Sequence, residues 1–137
     1  MTISERGDIE KDFTFDQIVQ DLTTIKNQLT SRGLFEAFKK QLAKDFEQSS
    51  FPVEVIASLE PDYAHIHRKL VLELERSQKN NMMKLLNRID ISEAQLKKYV
   101  NKQKEESRLS VMAELIIKRV LQKVVIRQFY KSSEQRE

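Results

Sequence analysis

The chain has 137 residues, of which 39% are apolar, 7% aromatic and 33% charged, enough for one domain core and too few for two. With two glycines and two prolines it lacks the turn residues of a β-sandwich or a nucleotide-binding α/β fold, and without cysteine it has no disulfide, no thiol chemistry and no cysteine-ligated metal. The net charge of +3 conceals an imbalance: residues 1–62 hold seven Lys/Arg against twelve Asp/Glu, and residues 63–137 hold seventeen against nine. That polarity fits either a basic surface for an anionic partner or two halves that neutralise each other within the fold.

Residues 1–12 are polar and aperiodic, which predicts a flexible arm; a single helical domain over 13–131 and a polar tail over 132–137 follow. The N-terminus has no apolar stretch of the kind that marks a cleaved signal. The longest uncharged run is Gln48 to Val53, far short of a membrane span, so the expected location is cytoplasmic. Thr14 as N-cap, Gln17 three residues on and the Phe13/Ile18 staple predict a first helix, with Ile18, Leu22, Ile25 and Leu29 on its inner face and Gly33 as its stop. A second helix over Leu34 to Gln48 places Phe35, Phe38, Leu42 and Phe46 together.

After the break at Ser49-Ser50-Phe51-Pro52, Val53 to Leu59 predicts one short helical turn. Pro61 suits the first turn of a third helix running to Lys79, with Tyr63, Ile66, Leu70 and Leu74 inward and Lys69–Glu73 and Glu75–Lys79 as charge pairs. Asn80-Asn81 should end it, and Met82 to Ile89 forms a fourth helix. Ser92 with Gln95 and the Ile91/Leu96 staple predict a fifth over Glu93 to Lys102, with Leu96 and Val100 inward. The last and longest helix runs from Arg108 to Lys131. Leu109, Ala113, Ile116, Ile117, Val120, Leu121 and Val124 fill one face, while Val111, Leu115, Ile126 and Phe129 lie opposite, so the helix should be central and covered from several sides. The expected fold is an all-α bundle of five to six helices around a largely buried C-terminal helix.

His65 and His67 are two apart on a helix, point in different directions and cannot chelate one metal together. Phosphate loops, metal-binding helix motifs and nucleophile elbows are absent, so no catalytic residue, cofactor or metal is implied. Residues 82–101 resemble the outline of a helix-turn-helix: a short helix, a turn, then Ile91-Ser92, three residues and Leu96. The resemblance implies that Gln95 could read a base while Lys97 and Lys98 contact phosphates. Two departures stand out: Leu86 replaces a small residue, and Asp90 replaces the usual turn glycine. Arg119, Lys123, Arg127 and Lys131 recur every fourth residue and form a basic row, beside Lys118, that could hold an anionic partner or pair with the acidic half.

Two functions are therefore open. The first is a non-catalytic helical module that binds protein, including itself as a homodimer, through Val111, Leu115, Ile126, Phe129 and Tyr130. The second is a nucleic-acid-binding domain that uses Gln95, Lys97, Lys98, Arg119, Lys123 and Arg127.

Overall fold

Apolar residues at helical spacing organise the chain into helices. The computed structural model describes residues 22–102 and 107–135, with side chains described between Thr24 and Gln128, and those residues hold seven helices and no strand. They are α1 (Leu22–Thr30), α2 (Arg32–Gln48), α3 (Glu54–Ala57), α4 (Tyr63–Arg76), α5 (Lys79–Arg88), α6 (Glu93–Lys102) and α7 (Arg108–Gln135). The N-terminal arm, and the Thr14 cap with its staple, lie outside the described residues. The all-helical class is as expected, and the count exceeds six because the single turn α3 stands as a helix of its own.

α7 is the axis. α2, α4 and α6 each pack against it, α1 packs on α2 and α4, and α3 and α5 pack on α2. From Val111 to Val124 the helix is buried around almost its whole circumference, including Met112, Ile116, Ile117, Val120 and Leu121. A helix apolar on all sides needs covering on all sides, and three neighbours do this. The Val124-Val125-Ile126 run, whose β-branched residues also suit a strand, is helical. α7 continues past the predicted end at Lys131 to Gln135, so the first part of the expected tail is helix.

Several boundaries differ from the expectation. Gly33 does not end the first helix; it lies inside α2 without a positive φ, and the break falls at Ser31, whose ψ of 122° is extended. The Ser31 carbonyl already accepts from Phe35 N–H at 2.9 Å, so α2 begins there. Pro61 precedes α4 instead of entering it, because Asp62 takes the N-cap and its carboxylate accepts from His65 N–H at 3.0 Å. α4 ends at Arg76, where Ser77 and Gln78 are both extended, and Asn80-Asn81 sit in the first turn of α5. The break separates Glu75 from Lys79, and Glu73 pairs with Arg76 at 3.8 Å in place of Lys69.

Two helix ends share one device. After α2, Ser50 takes φ 64°, Ser50 N–H donates to the Glu47 carbonyl at 3.3 Å and Phe51 N–H to that of Phe46 at 2.9 Å. After α5, Asp90 takes φ 67°, Asp90 N–H donates to Asn87 at 3.2 Å and Ile91 N–H to Leu86 at 2.8 Å. Both are Schellman motifs with a non-glycine residue in the left-handed position. Each carries the accompanying apolar contact: the Phe46 and Phe51 rings lie 5.0 Å apart, and Leu86 and Ile91 are both in the core.

Candidate functional site

The α5–α6 corner forms as the sequence implies. Ser92 and Gln95 make a full capping box, with Gln95 N–H donating to Ser92 Oγ at 3.1 Å and Ser92 N–H donating to Gln95 Oε1 at 3.0 Å. Asp90 supplies the turn in glycine's place. Leu86, which the helix-turn-helix outline would keep small, is the buried partner of Ile91. On α6 the inward residues are Leu96 and Tyr99, while Val100 is half-buried; Lys97 and Lys98 are exposed. Gln95 is half-buried, and its side-chain oxygen is committed to the cap.

Arg119, Lys123 and Arg127 of the basic row align along one side of α7 and make contacts within their own chain, whereas the side chain of Lys131 lies outside the described residues. Lys123 Nζ donates to the Arg88 carbonyl at the end of α5, at 3.1 Å, and lies 3.8 Å from the Asp90 carboxylate. A cation there meets the negative end of the α5 dipole. Arg119 lies 3.6 Å from Asp90 and donates to Gln122 Oε1 at 2.6 Å. Arg127 Nη2 donates to Gln41 Oε1 of α2 at 2.8 Å. Lys118 sits off the row and pairs with Glu114 at 2.7 Å.

Beneath this row lies Asp45 of α2, which is 0% exposed. Its Oδ1 accepts from Gln41 Nε2 at 3.1 Å and lies 3.4 Å from Arg88 Nε. Asp45 Oδ2, Arg119 Nε and Gln122 Nε2 are buried without a hydrogen-bond partner. Burial lowers the pKa of both Lys123 and Arg119; the Asp45 and Asp90 carboxylates oppose this at Lys123, and Asp90 does so at Arg119. The result is a polar seam joining α2, α5 and α7, with one ion pair, Asp45–Arg88, bridging the acidic and basic halves. Sequence reasoning missed Gln41 and Asp45. Their signal was present: they follow Phe38 and Leu42 at helical spacing, on a face otherwise apolar.

Two expected partner-binding residues are corrected. Val111 and Leu115 are 0% and 2% exposed, enclosed by the helices around α7, and contribute to no surface. Ile126 is half-buried beside exposed Arg127 and Gln128; the side chains of Phe129 and Tyr130 lie outside the described residues.

The two histidines have separate neighbours. His65 Nδ1 accepts from Glu60 N–H at 3.2 Å, whereas His67 Nε2 lies 2.9 Å from the Ser110 carbonyl and ties α4 to the first turn of α7. No helix is long and apolar enough to cross a membrane among the described residues. The chain matches no family model, no curated protein and no solved structure.

Proposed function

We propose that the protein is a non-catalytic helical module that binds protein through the C-terminal end of α7, with a second copy of the chain as the simplest partner. The observation behind this reading is the change in burial along the described part of α7. Val124 is its last buried residue among those described, yet the helix continues to Gln135. Past Val124 come half-buried Val125 and Ile126, then Arg127, and in sequence Phe129 and Tyr130. Helix propensity alone contributes little stability, and packing of Ile126, Phe129 and Tyr130 against a partner would add to it. Two copies can pair such ends isologously.

The nucleic-acid reading has less behind it. Arg119 and Lys123 are mostly covered and engaged with Asp90, exposed Arg127 is hydrogen-bonded to Gln41, and the oxygen of Gln95 belongs to a cap; of the six residues, Lys97 and Lys98 are the exposed pair on α6. Light scattering across a wide concentration range tests the proposal. The expected outcome is a concentration-dependent rise to twice the chain mass, abolished by Phe129→Asp. A chain that stays monomeric throughout would overturn it.

A further inference from the structure

An open cleft of about 510 Å³ lies where the loop after α2 meets the α4–α5 junction, within the size range of small-ligand sites. Its lining includes two carboxylates, Glu54 and Glu73, against one guanidinium, Arg76, together with the amide of Asn81. Glu73 is the unusual member. It lies on the core side of α4, beside Leu70 and Leu74, and its side chain is only 10% exposed. Among the described residues its carboxylate accepts no hydrogen bond. Its ionic neighbour is Arg76, 3.8 Å away with a side chain 73% exposed. A long contact to a solvated arginine contributes little, and the carboxylate, which lines the cleft, is open to a better donor.

We propose that this cleft binds a cationic alkyl group, an alkylguanidinium or alkylammonium, whose N–H donors pair with the Glu73 carboxylate. The lining carries one more negative than positive side chain, which favours a cation. Glu54 adds a second carboxylate within the same cleft, and Val55 and Pro52 offer apolar surface to the alkyl stem. Charge-assisted N–H···O bonds to Glu73 would be shorter and stronger than the 3.8 Å contact to Arg76 that they displace. Arg76 is then a competitor, readily displaced because a single long contact holds it. The cleft contains no residue of α7, so the proposal stands apart from self-association.

The test is an NMR titration of the full chain with n-butylguanidinium and n-butylammonium, with n-butanol as the uncharged control. Saturable shifts confined to the amides of residues 50–55 and 73–81 are expected with the cations and not with the alcohol. Glu73→Gln should weaken binding by at least about tenfold, while Arg76→Ala should tighten it. No saturable shift, an equal response to n-butanol, or an affinity unchanged by Glu73→Gln would each overturn the proposal. Should Glu73→Gln fail to fold by circular dichroism, Arg76→Ala decides: tighter binding supports the site, and unchanged or weaker binding overturns it. A capped Gly-Arg-Gly tripeptide identifies the source. Tighter binding than n-butylguanidinium points to a side chain of a protein, weaker binding to a free amine or guanidine, and either result upholds the cation site.

Discussion

Ser50 and Asp90 both hold the left-handed conformation that glycine adopts without penalty, and they differ in what their side chains do there. Ser50 is exposed with no side-chain hydrogen bond among those described, so Ser50→Gly should raise the stability by up to about 1 kcal/mol. Asp90 faces Arg119 and Lys123 at 3.6 and 3.8 Å, so Asp90→Gly loses those attractions and should gain less. Chemical denaturation of the two variants side by side checks the order. Lys123 offers a pH signature. Its burial lowers its pKa below the ordinary 10.5, and the attractions of Asp45 and Asp90 do not fully cancel that effect. A base with a lowered folded pKa is penalised while it carries its proton in both states. Between the folded value and 10.5 the unfolded chain keeps the proton and the native one sheds it, so stability rises with pH there. Relative to Lys123→Met, the native chain should therefore gain stability as pH climbs towards 10.5, and a flat difference would contradict the burial of the charge.

At the scale of elements, α7 dominates, and Leu121 at its centre is 1% exposed. Leu121→Ala should cost about 2–5 kcal/mol, read from thermal or denaturant unfolding, because neighbours on three sides cannot all collapse into the space left. Much of this architecture was legible in the sequence. Ser92 and Gln95 placed the start of α6 at Glu93, and Phe35, Phe38, Leu42 and Phe46 identified the inner face of α2. The misread boundaries have a common cause. Gly33 looked like a stop and sits in a helix, whereas Ser31, Ser77 and Gln78 break helices without a glycine or proline to mark them. The seam was half legible for a different reason. The four-residue spacing of Arg119, Lys123 and Arg127 shows that they share a side, but what that side faces is set by distant residues. Gln41, the partner of Arg127, lies 86 positions earlier, and no local pattern encodes that contact.

Across the whole molecule, the charge imbalance between the halves resolves partly inward. Asp45 meets Arg88, and Arg127 meets Gln41, so part of the basic excess of the second half is spent holding the first half in place. Most of it stays outward: Arg68, Arg76, Lys79, Lys84, Lys97 and Lys98 are among the exposed cations of the second half. The position of α7 has a further consequence for how the chain is made. α2, α4 and α6 all rest on the helix that follows them in sequence. During synthesis they therefore leave the ribosome before the surface they cover exists. The faces they turn to α7 must wait, open to chaperones and to neighbouring nascent chains, until α7 itself clears the exit tunnel. A nascent chain reaching only to about residue 107 could pair α1 with α2 and α4, and α5 with α2, but the faces that α7 covers would stay open.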